Sequence, residues 1–197
     1  MDQPERHLEL LALMARGSEA ALAELYAVFK NRVYNTALSF LQDTAEAEEV
    51  TQDVFVKIYH AAARFEGKSS VSTWVYRITV NQSLSRLSYR NRQKRFGWIV
   101  RFAQEEHPQQ PNIDIPHFDH PGVLLEQKEN ARMLFKAIES LPEQQKTAFI
   151  LSFIEELPRQ EVATVMDLSL KAVESLLQRA KVNLRKKLDE FYPDRRI

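Results

Sequence analysis

The feature that most restricts this chain is a run of apolar residues spaced by three and four. Leu22, Leu25, Tyr26, Phe29, Val33, Ala37 and Leu41 fall on one side of a coil that turns every 3.6 residues. The spacing predicts a helix of about 23 residues with Ser18 as its N-cap. The 197 residues include only four glycines, widely scattered among good helix formers, and nothing suggests a strand-rich sheet or an internal repeat. An all-α fold follows. Asp43 with Glu46 has the spacing of a capping box, and the helix it opens has Val50, Val54, Phe55, Ile58 and Tyr59 on its inner face. A polar loop, FEGKSSVS (65–72), precedes a helix from about Thr73 into the basic run RLSYRNRQKR (86–95). Residues 103–121 hold four of the eight prolines and little periodicity, which reads as a linker. Beyond it, one helix is expected from about Gly122 to Ser140, and another after Ser140-Leu141-Pro142-Glu143. A closing helix pair comes last. The expected organisation is an N-terminal segment (1–18), a helical domain (19–98), a flexible linker (99–124), a second helical domain (125–192) and a tail (193–197).

Composition bounds the chemistry. Without cysteine there is no disulfide, thiol nucleophile or thiolate metal site. The opening MDQPERHLEL has neither the basic nor the apolar region of a signal peptide. The run Leu10 to Ala15 is far below the roughly 20 residues that span a bilayer. A cytoplasmic chain without membrane insertion is expected. Net charge is zero, but its distribution is uneven. From Arg64 to Arg101 there are nine Lys/Arg and one acid, Glu66, and from Lys171 to Lys187 six bases and Glu174. Asp43, Glu46, Glu48, Glu49 and Asp53 form an acidic stretch with no base among them. Two basic zones and one acidic helix imply more than one kind of partner.

The closing stretch RQEVATVMDLSLKAVESLLQRAK (159–181) places Val162 and Met166 on one helix face with Ala163 beside them. Asp167 tolerates the left-handed turn conformation, and Ser169 is a good N-cap for a second helix with Val173, Leu176 and Leu177 inward. Two short helices crossing at a small residue describe a helix-turn-helix. By itself this stretch fits a packing hairpin as well as a DNA reader.

Taken together, the two halves resemble bacterial RNA polymerase sigma factors of the extracytoplasmic-function (ECF) group. The likeness rests on ALAELYAVFKNRVYNTALSFLQDTAEAEEVTQDVFVKIY, RFEGKSSVSTWVYRITVN and AIESLPEQQKTAFILSFIEELPRQEVATVMDLSLKAVESLLQRAKVNLRKKL. Residues 20–95 look like sigma region 2 and 127–190 like region 4, with no third domain between. Val71 stands where that family usually has an aromatic, Ser85 where it has Asp, and Glu174 and Leu176 where Lys and Arg are common. The resemblance implies a non-enzymatic subunit without a cofactor that binds core RNA polymerase and directs promoter recognition, melting and transcription initiation. It also implies an anti-sigma factor as partner, which the apolar stretch FGWIVRF (96–102) is available to help hold. The rival reading is an autonomous helix-turn-helix regulator; it leaves the acidic helix and the 65–74 loop without a role.

Each site has a plain alternative. Glu46, Glu49 and Asp53 share an expected outward face, which alone reads as a solvated surface. The resemblance makes Glu49, Gln52 and Asp53 polymerase contacts. Phe65, Lys68, Ser69, Ser70 and Ser72 beside Gly67 are either an ordinary loop or, by resemblance, the pocket for a flipped base of the minus-ten element, since unstacking a base requires stacking and hydrogen-bonding groups. Trp74 fits a core stripe with Val71, Val75 and Ile78. Arg77, Asn81, Arg86, Arg90 and Arg92 are candidate minus-ten contacts along a basic helix. In the second domain Lys171, Ala172, Glu174, Ser175 and Gln178 lie outside the apolar stripe and suit major-groove edges of the minus-thirty-five element, with Arg179, Lys181 and Arg185 on phosphates. His107, His117 and His120 match no common metal spacing, and a helical hydrolase built on them is remote.

Overall fold

The computed structural model describes residues 4–102 and 128–191, with side chains described for 4–93 and 131–189. All its regular elements are helical. Helix α1 (Pro4–Met14) lies inside the expected N-terminal segment, yet it buries Leu10, Leu11 and Met14. The His7 ring sits 4.9 Å from that of Phe29, and Arg6 donates to Glu24 at 2.6 and 2.8 Å. The segment is therefore part of the first core. Its single short apolar run offered no period from which to foresee this.

Helix α2 (Glu19–Leu41) starts at Ser18, whose hydroxyl accepts the Ala21 N–H at 3.3 Å. It ends where Gln42 turns left-handed (φ 53°) and returns its N–H to the Leu38 carbonyl. Helix α3 (Thr44–Ala61) opens with Asp43 accepting from Glu46 N–H at 2.9 Å. Glu46 itself reaches α4 (Val71–Phe102), a 32-residue helix that runs through the expected domain boundary at 98. Ser70 fixes its start, its hydroxyl accepting the Thr73 N–H at 3.0 Å. A 3-10 turn, Ala62–Arg64, and the 65–70 loop join α3 to α4. Helices α2, α3 and α4 enclose Leu25, Phe29, Val33, Leu38, Val54, Ile58 and Val75, all at most 1 % exposed. Each such side chain contributes roughly 1.5–3 kcal/mol by leaving water.

The second half opens with α5 (Lys128–Glu139); the expected beginning of this helix near Gly122 lies outside the described residues. Helix α6 (Glu143–Phe149) follows Pro142, whose fixed φ and missing N–H suit a helix start. A π turn, Ile150–Ile154, continues it, with Glu155 N–H closing on Ile150 O at 3.0 Å. Helices α7 (Arg159–Met166) and α8 (Leu170–Phe191) complete the described residues. Phe135, Ile138, Ile150, Leu151, Val162, Val173, Leu177, Ala180 and Leu184 form their core.

The two halves touch, which no sequence signal indicated. Lys146 donates to the Phe40 carbonyl at 3.2 Å and Gln42 to the Phe135 carbonyl at 3.2 Å. Arg90 lies 3.9 Å from Glu139. On the other flank Tyr76 OH donates to Glu155 at 3.4 Å, and Arg77 donates to the Thr164 carbonyl at 2.6 Å.

Candidate nucleic-acid interface

The helix-turn-helix is built as its residues require. Asp167 takes the left-handed conformation (φ 56°, ψ 46°) and its N–H reaches back to α7 carbonyls. The Ser169 hydroxyl accepts the Ala172 N–H at 3.2 Å, starting α8. Ala163 is 2 % exposed where the helices cross, and Val173, Leu176 and Leu177 turn inward. That leaves Lys171, Glu174, Ser175, Gln178, Arg179, Lys181 and Arg185 exposed and Ala172 half-buried.

Several of these side chains already have protein partners. Glu174 lies 3.6 Å from Arg159, a neighbour on α7 that sequence reasoning did not select. The guanidinium of Arg179 folds back on Ser175, donating to its carbonyl at 3.3 Å and its hydroxyl at 3.2 Å. The Lys181 ammonium sits 4.8 Å above the Phe153 ring. These exposed contacts are weak enough to exchange for DNA.

In the 65–72 loop the described roles divide. The half-buried Phe65 meets Trp74 edge-on at 5.2 Å, so Trp74 packs on the core margin. Lys68 pairs with Glu66 on the surface, and that ammonium holds the Glu66 carboxyl below its ordinary range. Gly67 has φ +69°, a conformation open to glycine, with nothing near a would-be Cβ. Ser69 donates weakly to the Ser70 carbonyl at 3.3 Å. Ser70 is the cap of α4, and Ser72 accepts from Arg32 at 2.8 Å. Ser70 and Ser72 thus have architectural duties besides any base contact. Arg32, which no motif or spacing singles out, also stacks 5.8 Å from the Tyr76 ring centroid.

Along α4, Asn81 and Arg92 are exposed. Arg86 is clamped by Glu49 at 2.6 and 3.0 Å, with Glu46 at 3.5 Å. Arg90 holds Glu46 at 3.0 Å and the Leu41 carbonyl at 3.1 Å, while its Nε is buried with no hydrogen-bond partner. The expected single outward acidic face is therefore divided. Glu46 faces α4, only 19 % of its side chain exposed, and Glu49 is shared with Arg86. Gln52 and Asp53 remain exposed to solvent. Among the described residues no helix is long and apolar enough to cross a membrane, and no cluster of ligating side chains suits a metal ion. His107, His117 and His120 lie outside the described residues.

Two family models match in this order: Sigma-70 region 2 over residues 25–93 and Sigma-70 region 4 over 131–184. The RNA polymerase sigma-H factor of Pseudomonas aeruginosa is 27 % identical over 184 residues, 93 % of this chain and 94 % of that one. The ECF RNA polymerase sigma-E factor of Escherichia coli K12 is 26 % identical over 172 residues, 87 % and 88 % of the two chains. In solved structures, CnrH bound to the cytosolic domain of CnrY shares the fold with a TM-score of 0.65 at 23 % identity, covering 94 % of this chain and 98 % of that one. RpoE of Bartonella quintana, solved with the anti-sigma factor NepR, gives 0.59 at 19 % identity, covering 85 % and 96 %. With both region models in order and relatives matched across nearly their whole length, the chain belongs to the ECF group of RNA polymerase sigma factors.

Proposed function

We propose that this sigma factor binds core RNA polymerase through the exposed middle of α3 and reads promoter DNA with α4 and α8. The observation that carries this reading is the separation of exposed faces. Gln52 and Asp53 project from an acidic helix, whereas the helix-turn-helix turns Lys171, Glu174, Ser175 and Gln178 outward. Acid suits a basic protein surface and repels phosphate; the α8 face offers groups that address base edges. In this reading the 65–72 loop, with Phe65, Lys68 and Ser69, receives a base unstacked from the minus-ten element. It acts beside the polymerase in the cytoplasm. Relatives solved with anti-sigma factors support a proteinaceous inhibitor as a further partner. An autonomous helix-turn-helix regulator is not favoured, because a polymerase-docking domain would then have no task.

The test is reconstitution of this protein with purified core polymerase and promoter DNA. Run-off transcription that depends on the chain is expected. Asp53→Arg combined with Gln52→Ala should weaken the complex with core while helicity stays unchanged; unaltered co-purification would remove the role from α3. Replacing Phe65 and Lys68 with Ala should reduce permanganate reactivity of the minus-ten region more than it reduces promoter binding. Equal losses would mean that the loop only docks.

A further inference from the structure

One large apolar side chain stands among the polar groups at the start of α8. Leu170, the first residue of that helix, is 39 % exposed, whereas Leu168 just before it packs against the core. The Ser169 hydroxyl accepts the Ala172 N–H, which fixes the turn that carries Leu170. Leu170 and Glu174 are four residues apart and share a helix face, which Gln178 continues; all three are exposed. Glu174 lies 3.6 Å from Arg159 of α7, a cation that offsets the repulsion between its carboxylate and phosphate. This face can therefore approach DNA despite its acid.

A single exposed leucine is ordinary on a protein surface. The place of this one gives it a partner. In a helix-turn-helix the N-terminal residues of the second helix meet base edges in the major groove. Leucine has no donor or acceptor to offer there, so polar groups of a facing edge would lose water without gaining a hydrogen bond. Thymine alone presents a methyl group in that groove. Against it, the leucine methyls find apolar contact.

We infer that Leu170 is a specificity residue that packs on the methyl group of a thymine in the minus-thirty-five element. Four residues of helix rise about 6 Å, so this thymine lies within about two base pairs of the position that Glu174 reads. The inference rests on the sigma-factor reading for the element addressed, and goes beyond it in naming the base and the atom by which it is chosen.

Uracil lacks only the thymine methyl, which separates this contact from every hydrogen bond. The protein, with core polymerase, is used to select its element from promoters randomised at minus thirty-five. Each thymine of that element, on either strand, is then replaced singly by uracil. One replacement should lower wild-type affinity about three- to fivefold, the worth of one methyl group leaving water. Leu170→Ala should bind the thymine and uracil forms alike and keep the wild-type preference at the position that Glu174→Ala relaxes. Alanine favours helix and Leu170 is exposed, so the variant should melt as the wild type does. A wild type indifferent to every uracil would overturn the inference, as would a Leu170→Ala protein that still prefers thymine. In the second case, loss of that preference in Ala172→Gly would assign the methyl contact to Ala172. Selection that succeeds only without core polymerase would instead sink the sigma-factor reading, and the uracil comparison on that element still decides the role of Leu170. Selection that fails in both arms sinks both.

Discussion

Glu174 and Gln178 stand one helical turn apart on the exposed side of α8, whereas Lys181 and Arg185 lie further along the same helix. Carboxylate and amide address base edges; the two cations suit phosphate. Glu174→Ala and Gln178→Ala should each relax preference at one promoter position and cost about 1–3 kcal/mol, measured by selection over randomised minus-thirty-five sequences. Lys181→Ala and Arg185→Ala should weaken all sequences alike and lower the salt slope by about one. Because Arg159 orients Glu174 across the hairpin, Arg159→Ala should relax the same position as Glu174→Ala; a change at a different position would mean that Arg159 contacts DNA on its own. These outward positions were legible because the 3.6-residue period separates them from Val173, Leu176 and Leu177. The occupations of Ser72, Arg86 and Arg90 were not legible, since each depends on a residue distant in the sequence: Arg32, Glu49 and Glu46.

At the scale of elements, the sequence supplied α2, α3 and the helix-turn-helix through period and caps: Ser18, Asp43 and Ser169 all cap, though the Glu46 carboxylate, expected to complete a capping box with Asp43, pairs with Arg86 and Arg90. It missed α1, whose burial is earned only against α2, and the full length of α4, where basic residues mask the continuing helix. The crossing of α7 and α8 is the most restrictive packing point, with Ala163 at 2 % exposure. Ala163→Leu should force the two helices apart at a cost of about 1–3 kcal/mol. Thermal unfolding should show the loss, and minus-thirty-five recognition should fall with it. An unchanged melting temperature would mean that the crossing has slack the burial does not reveal.

For the whole molecule, the contact that brings the two halves together is expected to couple to acidity through Glu155. Burial raises its carboxyl above the ordinary 4.5, with Thr36, Tyr76 and Arg32 opposing that rise. The closed form therefore binds a proton more tightly than the open form. Closure gains fully from this group below about pH 4.5 and loses the gain as pH rises through the raised value. Lys146, facing Glu139, Glu143 and Arg90, has the opposite sign: its lowered value makes closure easier again as pH approaches the alkaline range. Energy transfer between dyes carried on Lys30→Cys and Lys186→Cys, exposed sites in a chain that otherwise has no cysteine, should accordingly fall as pH is raised from the acid side, and Glu155→Gln should flatten that limb. A Glu155→Gln protein with the wild-type profile would place the titrating group elsewhere.

The π turn at Ile150–Ile154 decides which way Glu155 faces. Such a turn holds one residue more than the α-helical turn it replaces. Deleting Ser152 would restore the α-helical register and rotate the downstream residues by about 100° about the helix axis, carrying Glu155 away from Tyr76. Both reading domains could survive that loss, because α6 lies before it and the turn-and-helix unit after it. Seen as descent, the gain or loss of one codon here is a small genetic step with a structural result: chains that differ by that codon are expected to differ in whether Glu155 meets Tyr76.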